Sequence, residues 1–143
     1  MTTIPQSVRD LIATAPLIHL TTLNRDGSPQ VSVVWMGIEN DEFVSAHMRL
    51  HQTVRNVLRG PRVVFSCLGR GKNPLGLQEY LVVHGRARIT EGGAPILLQR
   101  LAHLYFGPDA VFPPASLRDQ PGYITRITPE RFGGIGPWNP TNA

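Results

Sequence analysis

Apolar positions along the chain change period several times, and each change marks an element. Residues 5–14 carry Val8, Leu11 and Ile12 at helical spacing behind Pro5, which predicts a short opening helix ending near Ala15 and Pro16. Alternation then takes over. LIHLTTL (17–23) and PQVSVVWMGI (29–38) read as strands joined by the Arg25-Asp26-Gly27-Ser28 turn, and EFVSAH (42–47) follows Asn40-Asp41 as a third strand. HQTVRNVLRG (51–60) returns to helical spacing, with Val54, Val57 and Leu58 on one side, Arg55 and Arg59 on the other, and Gly60-Pro61 as the stop. RVVFSCL (62–68) is a compact strand, and GRGKNPLG (69–76) reads as a flexible basic loop. LQEYLVVHGRARIT (77–90) is a long strand with Gly85 as a bulge or bend. APILLQRLAHLYFG (94–107) is helical, residues 108–122 form a proline-punctuated loop, YITRITP (123–129) is the last strand, and 130–143 reads as an irregular tail.

Six strands and two or three helices, without βαβ alternation or internal repeats, predict a mainly β chain. The expected architecture is a six-stranded antiparallel barrel with peripheral helices, a single domain over 1–143, in which 77–90 bends at Gly85 to close the sheet. With 143 residues, 41% of them hydrophobic, the chain is long enough to bury a real core. The single cysteine, Cys67, excludes an internal disulfide. Neither a run of about 18 apolar residues nor a basic-then-apolar leader is present, so a cytoplasmic location is expected.

Charge narrows the chemistry. Fourteen basic residues face ten acidic ones, and between Arg49 and Gln78 lie Arg49, Arg55, Arg59, Arg62, Arg70 and Lys72 without one Asp or Glu. An anionic partner is expected: nucleic acid, a phosphate-bearing cofactor, or water alone if the charge serves solubility. The stretch 45–62 puts Arg49, His51, Thr53 and Arg55 around a helix N-terminus, whose unpaired N–H groups and partial positive charge suit a phosphate or carboxylate. A solvated basic helix face is the plainer reading of the same pattern. Phe65 alone supplies no aromatic platform for nucleic acid. His47 and His51 straddle a strand end and a helix start, which is poor spacing for a metal pair, and no metal is expected. His19, His84 and His103 read as packing or surface residues, Cys67 as a small buried one, and no Ser-His-Asp or nucleophilic-cysteine arrangement is visible.

The order of motifs TTLNRDGSPQVSVVW, a third strand, a basic connection and RNVLRGPRVVFS resembles the pyridoxamine 5'-phosphate oxidase-like, FMN-binding split-barrel family, whose pattern ends in Arg-Asn-Leu-x-x-Asp-Pro-Arg. The resemblance spans about residues 5–137 and is nearest to the actinobacterial deazaflavin-dependent reductases, which bind coenzyme F420; neighbouring branches use FMN, heme or biliverdin. It implies that Ser32, Val33, Val34 and Trp35 line the cofactor ring, and that Ser45, Ala46 and His47 meet the ring edge and its side chain. Arg49, Leu50, His51, Thr53 and Arg55 then match the phosphate segment. Thr53 stands where the family carries lysine, and Gly60 where it carries aspartate.

The resemblance further implies a homodimer with the cofactor between subunits, so that Lys72, Tyr80 and Trp138 of one chain complete the site of the other. Trp138 reads as a lid or partner contact, Tyr80 equally as core or interface, and Trp35 more readily as core than as cofactor wall. The implied activity is hydride transfer from reduced coenzyme F420 to an unsaturated organic substrate. An FMN-dependent oxidase or reductase, and a non-catalytic cofactor carrier, are the alternatives.

Overall fold

In the computed structural model, which describes residues 2–139, seven antiparallel strands form one sheet. In chain order the elements are α1 (Gln6–Ile12), β1 (Ile18–Leu23), β2 (Pro29–Val34), β3 (Gly37–Glu39), β4 (Glu42–His47), α2 (Gln52–Arg59), β5 (Arg62–Lys72), β6 (Gln78–Glu91), α3 (Ala94–Phe106) and β7 (Tyr123–Ile135), with a 3-10 turn at Ala115–Leu117. The strand order is β2-β1-β5-β6-β7-β4-β3. β2 and β3 are joined through Trp35 and Met36 yet lie at opposite ends of the sheet, which curls into a split barrel without pairing shut.

The seventh strand arises because 29–38 is two strands and not one. Met36 and Gly37 are both buried, which breaks the alternation, and the Met36 amide donates to the Tyr105 hydroxyl (3.0 Å). That hydroxyl donates in turn to the Pro16 carbonyl (2.6 Å), so α3 ties down the crossing between the two ends of the sheet. Residues 69–72, expected in a loop, continue β5, with Gly69 and Gly71 lying against Glu79. The true turn is shorter: Asn73 Oδ1 accepts from the amides of Leu75 (3.0 Å) and Leu77 (2.9 Å).

The expected irregular tail is also corrected. β7 runs on to Ile135 because β6 offers it a ladder as far as Tyr80, and edge pairing overrides the weak strand propensity of its glycines. The register shifts between His84 and Gly85, where Arg131 faces His84 and Pro129 faces Gly85, leaving Glu130 as the extra residue of a bulge. Gly85 is required there, since a Cβ would lie 2.6 Å from the Thr128 carbonyl oxygen. Beyond Ile135 the chain folds back and buries Trp138 to 7% exposure, against a Gly136 that leaves no room for a side chain. The expected lid is therefore a core residue, its indole N–H buried without a partner.

The main core joins α1 (Val8, Leu11, Ile12) to Ile18, Leu20, Phe43, Phe65, Leu81, Val83 and Ile127, with Phe43 and Phe65 packed edge to face at 4.9 Å. A second cluster, Val44, Leu97, Leu101 and Ile124, seats α3 on β4 and β7. That packing brings α3 beside the β2–β3 crossing and so builds one wall of a cleft.

Candidate active site

Val33, Val34, Trp35, Ala46 and His47, five of the residues expected around a ring, line one open cleft of about 260 Å³. Leu98, Leu101 and Phe112 close its other side. Trp35 is a wall here and only half-buried: it stacks on Tyr105 (5.4 Å between centroids, planes 19° apart) and meets Phe106 and Phe112 edge-on at 5.0 and 5.5 Å. These contacts fix the indole, so the cleft offers a rigid apolar surface. Trp35 thus packs against the Val44–Leu101 cluster with one side and faces the cleft with another. The sequence places Leu98, Leu101 and Tyr105 only within the 94–107 helix and Phe112 only in the 108–122 loop; their meeting with β2 is tertiary and has no local signal.

His47 sits at the inner end of the cleft, 8% exposed, with Nε2 3.1 Å from the Thr125 hydroxyl. Burial, with a smaller push from the nearby His51, drives its pKa down to about 4, so the imidazole is neutral at physiological pH. The unfolded chain takes up this proton as pH falls through the ordinary histidine range, while the folded chain refuses it until about pH 4. Stability should therefore drop as pH falls from about 6.5 towards 4, by up to about 3 kcal/mol from this group. His47→Gln should flatten that slope in denaturant titrations at several pH values; an unchanged slope would assign the effect to other groups.

Ser45 is buried on β4 and does not line the cleft. Arg49, Leu50, His51 and Arg55 are exposed at and just before the first turn of α2, and of these His51 is tied to the cleft, its ring 6.0 Å from that of His47. Neither arginine has an ion-pair partner among the described residues, and the first turn of α2 carries no acidic residue. The start of α2 therefore presents a helix N-terminus and two guanidiniums without a carboxylate partner. Thr53 faces inward at 3% exposure and shares a 2.6 Å hydrogen bond with the Ser32 hydroxyl. It fixes β2 to α2.

Asn56, which carries the family-like Arg-Asn pair, is the strongest local tie. Its amide nitrogen donates to Thr22 (3.0 Å) and Asn24 (2.9 Å), while its oxygen accepts from Gln52 (2.9 Å) and Arg59 (2.9 Å). Within one chain, Lys72 and Tyr80 lie on the β5–β6 hairpin and do not line the cleft. Cys67 is buried and its thiol is pushed up to about 11, so no thiolate nucleophile forms there. Among the described residues no three His, Cys, Asp or Glu side chains converge on a metal site, and no helix is long and apolar enough to cross a membrane.

Known proteins share this fold. A solved structure named F420 Reductase is 27% identical to this chain, covers 91% of it and 98% of its own length, and superposes with a TM-score of 0.71. A conserved hypothetical protein from Mycobacterium tuberculosis (19% identity, 94% and 85% coverage, TM-score 0.70) and the heme storage protein HutZ from Vibrio cholerae (15%, 93% and 95%, 0.65) share the fold. No curated protein matches the sequence. The pattern of the family described as pyridoxamine 5'-phosphate oxidase matches residues 4–135, nearly the whole strand framework that carries the cleft, and the chain belongs to that family.

Proposed function

We propose that the protein is an oxidoreductase that holds coenzyme F420 in the Trp35 cleft and directs hydride transfer to an unsaturated organic substrate. The observation that carries this reading is a rigid apolar cleft whose His47 meets His51 at the basic, acid-free start of α2, on a chain 27% identical to an F420 reductase. A cleft of about 260 Å³ is smaller than sites enclosing whole ligands, and suits a flat ring whose anionic remainder lies along the open surface.

A bound deazaflavin supplies a two-electron hydride chemistry that needs no protein nucleophile. The chain's own work is placement. Val33, Trp35, Leu98 and Phe112 exclude water and fix the plane of the ring. His47, neutral, offers a hydrogen-bonding edge without adding positive charge to the cleft. Arg49, His51, Arg55 and the α2 N-terminus hold phosphate, and Thr53 with Ser32 keeps that segment in register with β2.

FMN is the second reading, supported by the family match, since a flavin phosphate would use the same start of α2. A homodimer fits the outer face of the sheet, where Val33 and Val31 stand beside His19 and Thr21, and Leu68 beside Tyr80, all exposed or half-exposed. Burying that face would carry Lys72 and Tyr80 towards the neighbouring cleft. Reduced F420 should be oxidised by enone or quinone acceptors only with protein present, and sedimentation should give a dimer. Tight binding without turnover on any acceptor would make the protein a carrier, and a monomer would remove the shared site.

A further inference from the structure

Residues 107–122 link α3 to β7 outside any strand, and Pro108, Pro113, Pro114 and Pro121 supply no amide donor to hold them. Yet this loop delivers Phe112, half-buried, to the cleft and sets it edge-on to Trp35. Pro113, on one side of Phe112, is buried, but Val111, on the other, is exposed, so packing fixes only half of the turn.

The side chain of Gln99, in the middle of α3, fixes the rest. Its Nε2 donates to the Ala110 carbonyl at 2.8 Å, and its Oε1 accepts from the Phe112 amide at 3.2 Å. One planar amide thus clasps the backbone on both sides of Val111. A donor and an acceptor together allow one orientation of that amide, so the same nitrogen also donates to His103 Nε2 at 2.9 Å, one turn along α3. Among the described residues, the two bonds to Ala110 and Phe112 are the hydrogen bonds that tie residues 108–112 to the body of a helix or strand. The others, from the Ala110 amide to the Gly107 carbonyl (3.1 Å) and from Arg118 to the Pro113 carbonyl (3.2 Å), stay within the loop. Leu98, next to Gln99, lines the cleft with Phe112, so α3 supplies one wall residue directly and places another through Gln99. None of these residues is on the sheet face assigned to the dimer.

We propose that Gln99 is a positioning residue of the cofactor site: by clasping the loop at Ala110 and Phe112 it sets how closely the Phe112 ring closes on a bound cofactor ring. This rests on the cofactor reading above, in which Phe112 helps to fix the plane of the ring. Gln99 itself does not line the cleft, so it acts through Phe112. Without the clasp the aromatic wall swings away with its loop, and the bound ring loses apolar contact and gains water. The phosphate contacts at α2 are untouched.

In the cofactor-free protein, hydrogen exchange followed by NMR should show the Phe112 amide protected, and exchanging at least about tenfold faster in Gln99→Leu. Leucine is a good helix former, so the melting temperature should stay close to the parent's; should the variant fail to fold, Gln99→Ala serves in its place. Fluorescence titration then uses F420 or FMN, whichever the parent binds. Gln99→Leu should weaken binding about tenfold with the parent's salt dependence, unlike the loss of Arg49 and Arg55, which flattens it. Phe112→Ala should weaken binding at least as much, and adding Gln99→Leu to it should change nothing further, because the clasp then has no ring to position. Additive losses, an unchanged affinity in Gln99→Leu, or a Phe112 amide that exchanges as fast in the parent as in the variant would overturn the proposal. A parent that binds neither probe would overturn the cofactor reading and this role with it, even where the Phe112 exchange shows the clasp intact.

Discussion

Replacing Arg49 and Arg55 together by alanine is expected to weaken cofactor binding about 100-fold, the loss of two charge-assisted contacts to one anionic group. Both side chains are exposed and lack carboxylate partners among the described residues, so their removal breaks no ion pair and should leave the melting temperature nearly unchanged. The wild-type affinity should also fall as salt rises, and the variant's should fall less steeply. Arg88→Ala, which removes a guanidinium paired with Glu42 at the opposite end of β4 from His47, should change affinity little. Fluorescence titration of both variants decides it: an unchanged affinity in the double variant would move the phosphate site away from α2.

Asn56→Leu should cost about 3 kcal/mol of stability although it leaves an apolar residue in a buried place. Four hydrogen bonds go with it, and the Thr22 hydroxyl, itself 1% exposed, loses its donor. The effect should reach function, because those bonds hold α2 against the β1–β2 hairpin and thus set where its first turn points. Asn56→Asp keeps acceptors for Gln52 and Arg59 but no donor for Thr22, and should fall between. Urea denaturation checks the order; a loss below about 0.5 kcal/mol for Asn56→Leu would mean that water replaces the network at little cost.

The parts of the site that lie close together in the chain were legible from sequence. Alternation located β2 and β4, helical spacing located α2, and the basic run from Arg49 to Arg55 stood out because no acid interrupts it. The opposite wall was not. Leu98 and Leu101 reach the cleft through the packing of α3 on β4 and β7, and Phe112 through the loop that follows, so a helical pattern over 94–107 locates the element but not what it packs against. Thr53 illustrates a different limit: its chemistry as a hydroxyl was evident, but its inward turn towards Ser32 depends on the hairpin's register. The C-terminal segment was misread for a third reason. Glycine and proline lowered its strand propensity, and the pairing offered by β6 overrode that preference and carried Trp138 into the core.

In the proposed reading the Trp35 cleft and the basic start of α2 hold one cofactor together. Equilibrium binding of coenzyme F420 and of FMN to ligand-stripped protein, side by side by their fluorescence, tests it most directly. Preferential binding of F420, lost in the Arg49→Ala, Arg55→Ala variant, is the predicted result. Binding of neither would contradict a redox cofactor site in this cleft, and preference for FMN would move the protein to the flavin-dependent branch of its family.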